Sequence, residues 1–282
     1  MLNIKNILSY LIVLYTSIVR KKGIVILEYH RISNNIRPED VHSITPKEFH
    51  SQIKYLVNSG YSFVSLPEVI KKLSNGYDRK EKIIALTFDD GHKDILTYAL
   101  PILEEFNVKA TVFIVSNYVG KSGWLNKNGD LSKTKSNDDQ WWDLLTWRDL
   151  REIKKQFWIE AHGMTHKRMS NLENDQLITE LKDPVLKIKK ELNLTSTIFC
   201  YPYGDFSKKT IEMVKKYGYD GACGTEKGVN FPLKSKYWQL KRNEVGRGIS
   251  CIQFRLLLTN GIIIYDQLSK ISKRIRHFMK TS

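Results

Sequence analysis

The stretch Ile83-Ile84-Ala85-Leu86-Thr87-Phe88-Asp89-Asp90-Gly91 decides the fold. Its first six residues are apolar or β-branched, the mark of a strand, and the strand stops at two adjacent carboxylates before a glycine turn. Burying one aspartate at such a strand end is costly. Burying two like charges costs more, unless a cation compensates them. An Asp-Gly pair is also common in ordinary turns, so the motif needs company before it means chemistry.

Outward from this strand, similar runs recur at residues 24–29, 109–115, 157–161 and 197–201. Helical patterns lie between them. Thr45 with Pro46 and Glu48 caps a helix running to about Asn58, and Ser65 with Pro67 and Glu68 starts another that ends near Gly76. Further helices are predicted over 94–106, 147–155, 173–192 and 207–217. Strands alternating with helices of this length imply parallel pairing with right-handed crossovers, hence an α/β layer or barrel, whose chemistry gathers at the C-terminal ends of the strands. Residues 116–146 form the one long irregular insertion. Its Trp124, Trp141 and Trp142 either line a ligand site or anchor the loop by packing.

A second run, Glu160-Ala161-His162-Gly163-Met164-Thr165-His166, also follows a strand. The histidines are four residues apart, so one helical turn would aim both imidazoles at one point. Two histidines and a carboxylate leave coordination positions open for water and substrate, the layout of a catalytic metal site. With the aspartate pair at another strand end, the residues predict a divalent metal centre.

These motifs resemble the polysaccharide deacetylase family, carbohydrate esterase family 4, with its NodB homology domain. The resemblance rests on Thr87-Phe88-Asp89-Asp90-Gly91, on His162 through His166 and on Tyr201-Pro202-Tyr203-Gly204. Glu28-Tyr29-His30 with Arg31, and the helix start Leu145-Thr146-Trp147, are similar to the branch that holds bacterial exopolysaccharide deacetylases. Residues 24–249 are covered. The resemblance implies a distorted (β/α) barrel and removal of N-acetyl or O-acetyl groups from a glycan. It makes Asp89 the general base, Asp90, His162 and His166 the metal ligands, and the Tyr203 backbone N–H an oxyanion donor, with Pro202 and Trp147 at the substrate side. The oxygen and nitrogen donors suit Zn²⁺ first, with Co²⁺, Ni²⁺ or Mn²⁺ as alternatives.

The chain also departs from the family. Cys200 stands where many relatives carry an arginine that orients the base, and Leu240-Lys241-Arg242-Asn243 stands where they carry a late motif ending in histidine. The usual general acid is therefore missing. His30, at the end of the first strand, is the candidate replacement, and Arg242 is expected to pair with Asp89 in place of the lost arginine. Asp220 either supports the acid or merely makes a turn. A degenerate member that binds glycans without hydrolysing them is the alternative reading.

Composition frames the rest. The 282 residues, 41% hydrophobic with six Trp, suffice for one sizeable domain. Cys200, Cys223 and Cys251 have no metal-type spacing, so reduced thiols are expected. The formal charge of +15 calls for an anionic neighbour, but no aromatic-basic motif of a nucleic-acid module is present. Residues 7–19 are apolar and flanked by Lys5, Arg20, Lys21 and Lys22, too short for a transmembrane span and without the small residues of a cleavage site. Near the other end, Leu268, Ile271, Ile275 and Phe278 recur at helical steps among basic residues. The expected organisation is a membrane-associating helix (1–22), the catalytic domain (23–260) and a basic amphipathic helix (261–282). It would lie on an anionic membrane surface, the cytoplasmic face favoured over an exported, anchored form.

Overall fold

The computed structural model describes residues 9–13, 15, 23–37, 40–125, 131–132 and 143–281. The chain runs through β1 (Val25–Tyr29), β2 (Arg31–Ile32), β3 (Ser43–Ile44), α1 (Pro46–Asn58), β4 (Tyr61–Phe63), α2 (Leu66–Asn75) and β5 (Lys82–Phe88). A π-helical turn (Ile95–Ala99) leads into α3 (Leu100–Glu105), then β6 (Ala110–Ile114), the antiparallel pair β7 (Trp124–Leu125) and β8 (Leu131–Ser132), α4 (Trp147–Ile153), β9 (Phe157–Ala161) and α5 (Asn174–Leu192). After these come β10 (Ile198–Cys200), α6 (Lys208–Lys216), β11 (Gly221–Cys223), β12 (Asn243–Glu244), α7 (Cys251–Leu257) and α8 (Gly261–Thr281).

The expected helices begin at their capping residues. Thr45 and Glu48, Ser65 and Glu68, and Thr146 and Asp149 each form a reciprocal capping box. The helix expected over 94–106 starts as a π turn. Pro101 has no N–H to return to the carbonyl four residues back, and the Leu100 N–H instead reaches the Ile95 carbonyl.

The main sheet is parallel throughout, in the order β11-β10-β9-β6-β5-β1-β12, with β4 beside the first half of β5. It curls until its two edges meet one short segment. Leu240 bridges to Cys223 at the β11 edge, and a few residues on, Asn243 and Glu244 pair with Leu27 and Glu28 of β1. That segment carries Arg242 across the seam.

Period-two alternation then sorts the strand residues. Val25, Leu27 and Tyr29 of β1 and Ile84, Leu86 and Phe88 of β5 join the large core under the helices. Ile24, Ile26, Ile83, Ala85, Phe113, Ile198 and Cys200 form a second cluster on the other face, inside the curl, closed by Val69 and Leu73 of α2. On the inward face the apolar residues give way, towards the strand ends, to Glu28, Thr87 and Asp89.

An early helical stretch touches the start of α8. Residues 9–13 are helical, and Ile12 lies against Gly261 at the start of α8. No helix among the described residues is long and apolar enough to cross a membrane. The remainder of the expected N-terminal segment lies outside the described residues, as do Trp141 and Trp142.

Candidate active site

The β5 strand delivers Asp89 and Asp90 to one cleft with different partners, by turning between them. Asp89 keeps strand pairing, its N–H donating to the Tyr29 carbonyl at 2.9 Å, while Asp90 (φ 70°) and Gly91 (φ 74°) are left-handed. A side chain at Gly91 would crowd Ile114 at 3.2 Å as well as strain the backbone.

Asp89 faces the curl interior and meets Arg242 in a two-pronged contact, Nη1 to Oδ1 and Nη2 to Oδ2, both 2.7 Å. The guanidinium is 1% exposed. Its other donors reach the Gly224 carbonyl (3.0 Å), Thr87 Oγ1 (3.2 Å) and Cys200 Sγ (3.1 Å), with Glu28 Oε2 at 3.4 Å. A buried charge so fully bonded is the condition under which an interior ion pair holds. Burial works to raise Asp89, but Arg242 overrides it and holds the carboxyl down at about 2. Burial wins at Glu28, which is pushed up to about 8 against the pull of Arg242. The small Cys200 leaves the space that the incoming guanidinium fills.

His162 and His166 do not sit on a helical turn. The segment after β9 is a loop in which Gly163 (φ 78°) and His166 (φ 58°) are left-handed, and this reversal, not a 3.6-residue period, folds both rings inward. The spacing of four is satisfied by the loop because its carbonyls pair with the β6 end: Ser116 N–H to Gly163 O at 3.1 Å and Asn117 N–H to Met164 O at 3.0 Å. His162 Nε2 and His166 Nε2 lie 3.5 and 3.2 Å from Asp90 Oδ1, and the three ligand atoms fall within 4.8 Å of one another.

This trio fits a divalent ion. His162 Nδ1 donates to the Cys200 carbonyl at 2.8 Å, which leaves Nε2 as a lone-pair donor facing Asp90. Asp90 Oδ1 is buried and has no hydrogen-bond partner among the described residues, as expected of an oxygen directed at a cation. Burial raises the Asp90 carboxyl, yet His166, His162 and His92 around it hold it well below the usual carboxylate range. Burial lowers both histidines. It prevails at His166, whereas Asp90 and Asp89 outweigh it at His162.

Asp89, Asp90, His162 and His166 line one open cleft of about 320 Å³ at the C-terminal ends of the strands. A family model for polysaccharide deacetylases matches residues 76–222, just over half of the chain. The chain belongs to the polysaccharide deacetylase family. Among curated relatives, Bacillus subtilis YxkH, which carries a polysaccharide deacetylase name, is 27% identical over 228 residues, 80% of this chain and 72% of its own. The poly-beta-1,6-N-acetyl-D-glucosamine N-deacetylase of Staphylococcus epidermidis is 26% identical, covering 70% of this chain and 71% of its own. Solved structures share the fold: Streptococcus pyogenes PplD, a deacetylase in complex with acetate (TM-score 0.70, 24% identity, 84% of this chain and 98% of that one), and IcaB from Ammonifex degensii (TM-score 0.69, 21% identity, 85% and 98%).

The deacetylase cleft gathers most of the expected residues. His30 follows β1 at the same rim, a ring nitrogen within 4.8 Å of the Glu28 and Asp89 carboxylates, and Tyr203 (φ 58°) faces His166 with ring centroids 4.6 Å apart. Pro202 is buried beneath this loop, near Gly163, and is not among the residues that line the cleft. Trp147 is not brought to the cleft. It opens α4 and packs half-buried against the large core, because the first turn of that helix faces inward. Asp220 is exposed just before β11, whose C-terminal end, not its start, faces the site, and its N–H bonds the Thr197 carbonyl. It makes a turn there.

The sequence reading gave no role in the site to the lining residues Glu28, His42, His92, Arg168, Thr225 and Glu244. His92 Nε2 stands 3.7 Å from Asp90 Oδ2, and His42 is hydrogen-bonded through Nδ1 to Glu244 beside the His30 ring. Glu28 carried a signal, a lone acid in an otherwise apolar strand. The His42–Glu244 pair joins residues too far apart in sequence to show one.

Proposed function

We propose that this polysaccharide deacetylase is a metal-dependent amidase that removes N-acetyl groups from a glycan built on amino sugars. The observation that carries the reading is the buried Asp89–Arg242 pair beside the Asp90, His162 and His166 trio. It supplies a fixed, ionised acceptor for a proton next to a metal-ligating set. The name of the staphylococcal relative points to a poly-N-acetylglucosamine, and the donor set favours Zn²⁺ over Co²⁺, Ni²⁺ or Mn²⁺.

A divalent ion bound by Asp90, His162 and His166 supplies Lewis acidity and lowers the pKa of water. Asp89 receives the proton as water oxygen bonds to the acetyl carbon, and Arg242 keeps the carboxylate ionised and aimed. The Tyr203 N–H is assigned to the developing oxyanion. His30 donates a proton to the amide nitrogen as the C–N bond breaks, which releases acetate and leaves a free amine. The altered motifs therefore do not imply a silent binder, because Arg242 takes over the role of the arginine replaced by Cys200, and His30 stands in for the histidine missing from the late motif.

Acetate release from poly-N-acetylglucosamine and from lipid-linked N-acetylated precursors tests this. Turnover should vanish on stripping divalent ions with a chelator and return with Zn²⁺. Glycan binding without acetate release under any metal would favour the non-hydrolytic reading. A membrane location at the cytoplasmic face, with a lipid-linked substrate, is proposed from the ends of the chain. Tyr10, Leu11, Tyr15, Leu268 and Ile271 expose apolar side chains there, and the total charge is +15. The intact protein should float with anionic vesicles and not with neutral ones; absence of binding to both removes the membrane from the proposal.

A further inference from the structure

The two histidine ligands are secured unequally. His162 is fixed at its ring, since Nδ1 donates to the Cys200 carbonyl. His166 Nδ1 is buried with no hydrogen-bond partner among the described residues, so its direction depends on its backbone, which is left-handed. A non-glycine residue holds that conformation only when its surroundings impose it.

The β6 end holds the loop carbonyls of Gly163 and Met164, and one carboxylate holds the N–H groups that follow. Glu180, on α5, is 3% exposed, and its Oε2 accepts the N–H groups of Met164 at 2.7 Å and Thr165 at 3.0 Å. Its Oε1 accepts the Thr165 hydroxyl. Among the described residues it makes no ion pair, and a carboxylate is costly to bury without compensation. Its partners are consecutive loop N–H groups, the concave arrangement that holds anions in other loops. The fit is tight: a Cβ on Gly163 would stand 2.7 Å from Glu180 Oε2.

We propose that Glu180 is the positioning residue of the metal centre, a carboxylate that shapes the 162–166 loop and thereby aims His166. This rests on the metal-site reading above. Glu180 touches neither substrate nor ion. It acts through the backbone, as partners behind a ligand do elsewhere, where their loss typically weakens metal binding about 10–100-fold.

The test uses the full chain stripped of metal, with the Zn²⁺ dissociation constant measured by competition against a chromophoric chelator. Thermal unfolding of each apo-protein is recorded alongside. Glu180→Leu keeps the volume and removes the acceptors, so Zn²⁺ affinity should fall about 10–100-fold. Glu180→Gln should stay within a few-fold of wild type, since its carbonyl can accept both N–H groups while its amide donates to the Thr165 hydroxyl. Gly163→Ala, which retains Glu180 but forces it away, should lose affinity as Leu does. Wild-type affinity in the Leu or Ala variant overturns the proposal, and so does equal loss in Gln and Leu. If the Leu variant does not fold, Gln and Gly163→Ala decide by the same criteria. A wild-type protein that binds no Zn²⁺ at all sinks the metal-site reading instead.

Discussion

The loop after β5 and the loop after β9 both turn left-handed to bring Asp90, His162 and His166 into one cleft, but they are braced by opposite means. The aspartate loop is braced by a cation from far along the chain, Arg242, which sets the charge state of Asp89 as well as its direction. The histidine loop is braced by an anion from the next helix, Glu180, which bonds only backbone N–H groups and a hydroxyl. The first brace adjusts chemistry and the second adjusts shape. Damage to the first should therefore appear in turnover and pH behaviour, and damage to the second in metal affinity.

The largest effect should come from the reacting groups themselves. Asp89→Asn should lower kcat for acetate release by about 10²–10⁴-fold while Zn²⁺ affinity stays near wild type. His30→Ala should do the same with KM little changed. Full turnover in either variant strikes that residue from the proton-transfer scheme. Next, Arg242→Met should destabilise the fold by about 3–5 kcal/mol, because it strands a buried carboxylate. Urea unfolding measures this, and adding Asp89→Asn to the same chain should recover part of the loss. Stability untouched by Arg242→Met means that the pair is no brace.

The last effect is a slope. Burial pushes Glu28 up to about 8 in the fold, from about 4.3 when unfolded. Its folded value is the higher, so its contribution to stability is complete below about 4.3 and is lost as pH rises towards 8. Glu28→Gln should flatten the decline of stability over that window. An unchanged pH profile would show that Glu28 does not carry it.

The alternation of apolar runs and capped helices made the parallel α/β fold legible, because each signal is local: Thr45 with Glu48, Ser65 with Glu68, and strands that stop at Gly or Pro. The aspartate loop was legible for the same reason. The histidine loop was legible as residues and not as shape, since His162-x-x-x-His166 satisfies a helical turn on paper and only Gly163 hints at the reversal. Glu28 was hidden by a strand buried on both faces, where inward and outward residues cannot be told apart without the curl. His42 and Glu244 meet only after the sheet has closed. Trp147 misled because an aromatic at a helix start serves packing as readily as a sugar.

The segment that joins β11 to β1 has a consequence for the order of events in the cell. Translation proceeds from the N-terminus, so a growing chain holds Asp90, His162 and His166 well before it holds Arg242. Until that last stitch emerges from the ribosome, Asp89 has no counter-charge and the two sheet edges have no segment to join them.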